Sequence, residues 1–287
     1  MAGQISWKRK GNREVMQERQ SAQVPYLVFP ALEKIPGIVH GFSTRLGGVS
    51  EGDLFSMNFS FSREKSRENV TENFRRMGEA VGFSIGQLVL SDQTHTTNVR
   101  VVTREDIGKG ILRERDYQDV DGMITDEPGI VLATFFADCV PLFFVDPVRK
   151  AIGLSHSGWR GTVNKMGLVT VKKMQENFGC DPENIIAAIG PSICQDCYEV
   201  SEDVIDQFRK NFEESCQDQL YYRKANGKYQ LNLWRANELI LQEAGITKEH
   251  ISTTDLCTCC NSELLYSHRA SEGKRGNLGA FLGMAEE

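Results

Sequence analysis

Short runs of apolar and β-branched residues recur along the chain, each bounded by Gly, Pro, Asp or Asn. Runs of this length with such boundaries predict β-strands. The predicted strands span residues 37–43, 88–91, 99–103, 122–125, 130–136, 142–145, 151–155, 185–189, 251–254 and 264–267.

Helical periodicity is found in fewer segments. In residues 66–81, Val70, Phe74, Met77 and Val81 follow a spacing of three to four residues, which predicts an amphipathic helix. Further helices are predicted at 162–178, capped by its first residue, at 201–212 and at 231–244. Strands precede helices singly or in pairs, not in strict alternation. The order favours an α/β (α+β-like) fold with mixed sheets over a TIM barrel or a doubly wound parallel sheet.

The chain divides into a short extension and one large unit. Residues 1–24 are polar and basic without clear periodicity, so we expect a loosely held N-terminal extension or a short edge element. Residues 25–287 contain no Pro/Ser-rich linker, low-complexity tract or internal repeat, and we expect them to form a single domain.

Composition and charge narrow the class of protein. The 287 residues are 40% hydrophobic with a net charge of −6, which argues against nucleic-acid or anionic-membrane binding. No apolar run reaches the roughly 18 residues of a membrane span, and no secretory signal pattern follows the basic N-terminus. The 8 cysteines are then expected to be thiols or metal ligands in a reducing cytoplasm.

Three metal-competent side chains, those of His95, Cys139 and His156, each lie at the end of an apolar run. Two neutral imidazoles and one thiolate form a sensible Zn²⁺ site with an open fourth position. Cu²⁺ is a possible substitute because the affinity of such sites rises towards copper. The alternative for Cys139 is a buried, inert thiol.

Candidate ligands for an anion lie near glycine-rich turns. Ser43 and Arg45 belong to HGFSTRLGGVS, and Arg160 precedes the predicted helix at 162–178, where free amides favour anions. Each segment alone is more typical of a turn with a surface ion pair than of an anion site. Asp138 is an acid/base or supporting candidate, or a carboxylate that caps a turn, and His268 is expected to face the same cleft.

Four other cysteines form a C-x2-C…C-x2-C pattern: Cys194, Cys197, Cys257 and Cys260. Tetrahedral zinc accepts four thiolates, but the intervening gap is far longer than in a compact zinc ribbon. A second metal site and free reduced thiols both remain open.

Several ordered motifs resemble the laccase-domain family, which includes YfiH- and YlmD-type proteins and is also described as multicopper polyphenol oxidoreductases or peptidoglycan-editing factors. The motifs are HGFSTRLGGVS, DQTH, FADCVPLFFVDP, HSGWRGTV, AIGPSICQDCYEV and LCTCCNSELLYSHR. The resemblance implies a layered sandwich with zinc held by His95, Cys139 and His156. The chain departs from the family pattern at Thr96, where glycine is usual, and in SHRASEGKRGNLGAF.

The resemblance also implies an activity: phosphorolysis of adenosine, inosine and S-methyl-5′-thioadenosine, with adenosine deamination. Arg45 and Arg160 would then hold phosphate beside the purine nucleoside. One alternative is a peptidoglycan-precursor editing hydrolase with Cys139 as nucleophile and His156 as base. Another is a weak copper-dependent polyphenol oxidase, although 5 histidines are too few for a multicopper centre. The sequence predicts no oligomeric state.

Overall fold

The computed structural model describes residues 6–286, so residues 1–5 of the predicted extension and residue 287 lie outside the described residues. Its strands are β1 (Gln17–Ser21), β2 (Val24–Val28), β3 (Ile38–Ser43), β4 (Leu88–Leu90), β5 (Val99–Val101), β6 (Gly122–Thr125), β7 (Val131–Phe136), β8 (Val140–Asp146), β9 (Ala151–Ser157), β10 (Ile186–Ile189), β11 (Glu199–Val200), β12 (Tyr221–Arg223), β13 (Tyr229–Leu231), β14 (Ile251–Thr253) and β15 (Leu278–Met284). Its helices are α1 (Pro30–Glu33), α2 (Arg67–Val81), α3 (Trp159–Val163), α4 (Met166–Phe178), α5 (Glu202–Asn211), α6 (Glu214–Leu220) and α7 (Leu233–Glu243).

Two six-stranded sheets organise the molecule. The first has the order β1-β2-β3-β15-β7-β4 and the second β14-β10-β8-β9-β6-β5. Both are mixed: β4–β7, β10–β14 and β5–β6 pair in parallel, and the other neighbours pair antiparallel. A third sheet has three strands in the order β11-β13-β12.

The buried apolar side chains show that the layers stack as helix, sheet, sheet and helix. One group fills the space between the two large sheets. A second packs α2 on the outer face of the first sheet, and a third packs α4, α5 and α7 on the outer face of the second. Strand β8 alternates between two of these groups: Phe143 and Val145 face the first sheet, and Leu142 and Phe144 face the helices. Such a strand is buried on both faces, which explains its continuous apolar sequence.

Most predicted elements are confirmed with small shifts at their ends, but two predictions are wrong. Residues 264–267 form turns and irregular structure because the amides of Leu264 and Leu265 both donate to the Asn261 carbonyl. The predicted helix at 162–178 is divided into α3 and α4 at Lys165, whose φ is 58°. Thr162 lies inside α3 and is not its cap. No helix within residues 6–286 has the length and apolar character needed to cross a membrane.

A candidate metal centre beside an arginine-lined cavity

The three predicted metal ligands lie together at one end of the sheets. His95 is in the loop between β4 and β5, Cys139 in the bend between β7 and β8, and His156 within β9. Their ligand atoms all lie within 4.8 Å of one another, and Cys139 Sγ is 4.0 Å from His95 Nε2. His156 is buried, Cys139 half-buried and His95 exposed, so the group opens to solvent on the His95 side.

Unusual backbone geometry, at His95 itself and at the residue before Cys139, orients these two side chains. His95 has a φ of 68° and Asp138, directly before Cys139, a φ of 84°, a region that residues other than glycine seldom adopt. Asp138 is held there by both carboxylate oxygens: Thr258 Oγ1 donates to Oδ1 and the Arg269 amide donates to Oδ2 at 2.7 Å. This carboxylate therefore fixes the bend that presents Cys139.

Asp121 contacts two of the three candidate ligands, and the sequence interpretation missed it. Its fully buried carboxylate accepts hydrogen bonds from the amides of Thr94, His95 and Thr96, and it lies 2.8 Å from His156 Nδ1. One side chain thus positions two ligands. Because Nδ1 is engaged by Asp121, Nε2 is the His156 atom available to a metal, the arrangement that usually orients a ligating histidine.

The charged side chains of this group shift the pKa values of their neighbours. Burial alone would raise the pKa of Asp121, but hydrogen bonds from His156 and the loop amides outweigh it and hold the pKa at about 2. Burial would likewise raise the pKa of Cys139, yet the adjacent imidazoles lower it to about 6. For His156, the Cys139 and Asp121 charges overcome burial and raise the pKa to about 9. At neutral pH the metal-free pair is therefore a thiolate and an imidazolium.

The space around the three ligand atoms fits a metal ion. Tetrahedral zinc with Zn–S and Zn–N bonds of about 2.3 and 2.0–2.1 Å separates its ligand atoms by roughly 3.3–3.6 Å, so the 4.0 Å between Cys139 Sγ and His95 Nε2 would close by a few tenths of an ångström on binding. Gly158 leaves room for the ligands, since a Cβ atom there would lie 3.0 Å from Cys139 Sγ and 3.1 Å from His95 Cδ2. No fourth Cys, His, Asp or Glu of residues 6–286 joins the group, so one coordination position is open.

That open side adjoins a cavity of about 370 Å³, which all three ligands line. Three arginines also line it: Arg63, Arg115 and Arg275. Arg115 is paired with Asp92 at 2.9 Å. Neither of the other two has a salt bridge with any described residue, so the cavity carries an excess of positive charge beside the candidate metal centre.

The remaining predicted site residues lie outside this cavity lining. Ser43 is buried and accepts a hydrogen bond from the Gly279 amide. Arg45 donates to the carbonyls of Phe55 and Ser262 and packs over the Tyr266 ring. These contacts do not bring either side chain together with the three ligands.

Arg160 and His268 are both exposed. Arg160 follows Gly158 by two residues. Its guanidinium lies 4.3 Å from the centre of the Trp159 ring. His268 lies beside Gly273, where a Cβ atom would be 3.5 Å from its Cε1, and the Gly273 carbonyl accepts a hydrogen bond from Arg63 of the cavity. Desolvation of its ring and the positive charge of Arg275 lower the pKa of His268.

The amino-acid sequence of this chain is similar to those of a known protein family. The family model described as multi-copper polyphenol oxidoreductase laccase matches residues 39–285. The chain is 39% identical over 253 residues to the purine nucleoside phosphorylase YlmD of Bacillus subtilis, covering 87% of this chain and 89% of that protein. It is 37% identical over 256 residues to the YlmD protein of Geobacillus stearothermophilus, covering 88% and 92%.

Solved structures match the fold as well. The crystal structure of YlmD from Geobacillus stearothermophilus aligns with a TM-score of 0.86 and 35% identity, over 96% of this chain and 100% of that one. The Bacillus licheniformis hypothetical protein YfiH aligns with a TM-score of 0.87 and 33% identity, over 93% and 98%. The predicted layered α/β fold with mixed sheets is confirmed. The chain belongs to the family of multi-copper polyphenol oxidoreductase laccase domains, which includes the YfiH- and YlmD-type proteins.

Proposed function

We propose that this protein is a zinc-dependent purine nucleoside phosphorylase that acts on adenosine, inosine and S-methyl-5′-thioadenosine and also deaminates adenosine. The observation that carries the proposal is the open His95–Cys139–His156 group next to unpaired arginines in one cavity. Relatives named purine nucleoside phosphorylase support the same activity. We also propose a cytoplasmic enzyme with small-molecule substrates, since a net charge of −6 disfavours nucleic-acid and anionic-membrane partners.

His95, Cys139 and His156 would hold the zinc ion, with Cu²⁺ as a possible substitute. When bound, the metal supplies a Lewis acid for the purine side of the substrate and for the water used in deamination. Asp121 fixes His156 through Nδ1 and the His95 loop through three amides, so the two imidazoles are oriented before a metal arrives.

Arg275 is the residue we assign to phosphate. Its Nε is buried without a hydrogen-bond partner, while its Nη1 contacts Asn277 and the Gly276 carbonyl. Burial and the neighbouring charge of Arg63 lower its pKa to about 10, so the guanidinium stays charged at neutral pH. A half-buried guanidinium without a carboxylate partner among the described residues is stabilised by an anion, and phosphate accepts hydrogen bonds from its planar fork.

The cavity thus offers a binding position for phosphate and one for the nucleoside. An oxygen of phosphate, held by Arg275 and Arg63, forms a bond to C1′ of the ribose as the bond from C1′ to N9 of the purine breaks. The departing purine takes up the proton that hydrogen phosphate gives up, so the products are the free base and ribose 1-phosphate, or 5-methylthioribose 1-phosphate from S-methyl-5′-thioadenosine. Phe61 and Phe135 also line the cavity and provide apolar surface for the flat purine. Arg45 and Arg160 are the sequence-derived alternative for phosphate, and variants distinguish the two assignments below.

Release of hypoxanthine from inosine tests the proposed activity. We expect a rate that rises with phosphate concentration and a product that is ribose 1-phosphate. Hypoxanthine release that ignores phosphate would contradict the phosphorylase assignment. Ammonia release from adenosine without phosphate tests deamination separately.

The thiolate–imidazolium character of the metal-free Cys139–His156 pair favours one alternative, a thiol hydrolase that edits peptidoglycan precursors. Cys139 cannot be both a zinc ligand and the attacking thiolate. Rapid alkylation of Cys139 in protein as purified would support the hydrolase, and protection by bound zinc would support the phosphorylase. Phenol oxidation after copper loading tests the laccase alternative.

Asp121→Asn is expected to weaken zinc binding by about 10- to 100-fold, a range typical of lost partners of metal-ligating histidines. The amide offers one acceptor oxygen, whereas the two carboxylate oxygens together accept from five donors: three loop amides, the Thr96 hydroxyl and His156 Nδ1. Competition with a chelator of known affinity measures the change. The matched control is Asp119→Asn, because the Asp119 side chain contacts the exposed Thr94 hydroxyl of the same loop. Equal zinc affinity in both variants would contradict the role given to Asp121.

Zinc uptake is expected to release protons and to weaken as the pH falls. Between the Cys139 pKa of about 6 and the His156 pKa of about 9, the thiolate is ready to bind but His156 carries a proton that must leave. The pair therefore releases about one proton per zinc at pH 7.5, and affinity falls about tenfold per pH unit across this window. Calorimetry in buffers of different ionisation enthalpy counts the protons, and a count of zero would contradict the charge assignment.

A further inference from the structure

Four cysteines distant from the cavity ligands converge in space. Cys194, Cys197, Cys257 and Cys260 place their sulfur atoms within 4.8 Å of one another, and the Cys197 and Cys260 sulfurs are 3.5 Å apart. All four are free thiols. Two sequence pairs separated by 63 residues thus form one cluster, which the proposed phosphorylase chemistry does not use.

The backbone around Cys257 is arranged to stabilise a thiolate. Cys257 Sγ accepts hydrogen bonds from the amides of Cys194 at 3.2 Å and Cys260 at 3.4 Å. The Cys197 amide donates instead to the Cys194 carbonyl at 3.1 Å. The Cys257–Cys260 turn therefore folds its later amide back onto its earlier sulfur. A thiol gains little from such donors, whereas a metal-bound thiolate is stabilised by them.

The donor set and the spacing specify the kind of ion. Four sulfurs around a tetrahedral zinc with Zn–S bonds of about 2.3 Å lie roughly 3.8 Å apart. The distances here bracket that value, and the soft thiolates select zinc over magnesium or calcium. Lys10 lies close enough for its charge to act on Cys194 and Cys260, which offsets part of the negative charge of a tetrathiolate site.

We propose that Cys194, Cys197, Cys257 and Cys260 form a second metal site that binds one Zn²⁺ ion with four protein ligands and no open position. Closed four-ligand coordination makes this a structural site. It joins the segment after β10 to the segment after β14, and Ser192 and Cys257 already form a parallel bridge there.

The second site supports the cavity through Asp138. Thr258, next to Cys257, donates its hydroxyl to Asp138 Oδ1, and the Ile193 amide, next to Cys194, donates to the Asp138 carbonyl at 3.0 Å. Both cysteine turns thus contact the residue that fixes the Cys139 bend. Zinc at the second site would hold both turns in place and thereby position Cys139.

Metal analysis of the full chain tests the proposal independently of activity. Purified protein is expected to contain about two zinc ions per chain and Cys139→Ala about one, because four thiolates remain. Cys194→Ser and Cys260→Ser are each expected to lose the second ion. Cys259→Ser is the matched control: this cysteine lies in the same turn but outside the four-sulfur group, and it should retain both ions.

Cobalt provides a second measurement that does not depend on the folding of the serine variants. Co²⁺ loaded into Cys139→Ala should show the intense sulfur-to-metal charge-transfer absorption of a tetrathiolate site, and a mercurial reagent should release it in proportion to modified thiols. A mass lower by four hydrogens, which reports two disulfides, would overturn the proposal. So would free alkylation of all four cysteines in protein with its full zinc content. Neither result depends on whether the cavity site is a phosphorylase.

Discussion

Cys139→Ala is expected to abolish metal binding at the cavity site and to lower phosphorolysis of inosine by about 1,000-fold, since a bound metal typically contributes several kcal/mol to such reactions. Two imidazoles remain, but His156 loses the thiolate that lies beside it and His95 the sulfur 4.0 Å away. Steady-state rates at saturating phosphate, measured together with zinc content, check the result.

The control for this variant is Cys216→Ser, which changes a half-buried cysteine outside both clusters and should retain full activity. Thermal unfolding of both variants without metal separates loss of the ion from loss of the fold. Activity of Cys139→Ala within about tenfold of the unmodified protein would rule out a contribution of this size from the site.

Arg275→Ala is expected to raise the KM for phosphate by about 10- to 100-fold, the effect of losing one to two hydrogen bonds to a charged ligand. The KM for inosine should change little, because the buried Nε that lacks a partner is the group assigned to phosphate. Initial rates over a matrix of phosphate and inosine concentrations separate the two constants.

Two variants accompany this measurement. Arg275→Lys keeps the charge but loses the planar fork, so part of the phosphate affinity should return. Arg160→Ala removes an exposed guanidinium that stacks on Trp159 outside the cavity lining, and a much smaller effect is expected. A larger rise in phosphate KM for Arg160→Ala than for Arg275→Ala would contradict the assignment to Arg275. Phosphate binding would then be assigned to Arg160, as the sequence predicted.

The metal ligands could be predicted from the sequence because each stands out against an apolar run. His95, Cys139 and His156 are polar, metal-competent residues at strand ends, and the structure brings them together. Asp121 was missed although the acidic residues before the strand at 122–125 were a usable signal. A single carboxylate ahead of a strand is typical of a turn, and its convergence with His156 depends on the antiparallel pairing of β6 and β9.

The cavity arginines could not be predicted for a related reason. Arg63 and Arg115 lie in charged segments that are typical of a solvated surface, and Arg275 lies in a glycine-rich segment near the C-terminus. Only the tertiary fold places these three segments around one space. The glycine-flanked turn at Arg45 was the more prominent sequence signal, but its guanidinium is already occupied by backbone carbonyls.

The strands also divide into those that the sequence predicts and those that it does not. Strands such as β7 and β8 were predictable because burial on both faces leaves long apolar runs. Strand β15 was missed, although it pairs with both β3 and β7 inside the first sheet. Gly279 and Gly283 interrupt its apolar pattern, and both are required by close neighbours: a Cβ atom at either position would lie 2.7 Å from another side chain.

Anomalous diffraction at the zinc edge tests the central claim most directly. Crystals of the purified protein should show one zinc ion bound by His95 Nε2, Cys139 Sγ and His156 Nε2, with a fourth ligand that does not come from the protein. An ion closed off by a fourth protein donor, or three side chains without any metal in fully zinc-loaded protein, would contradict the account.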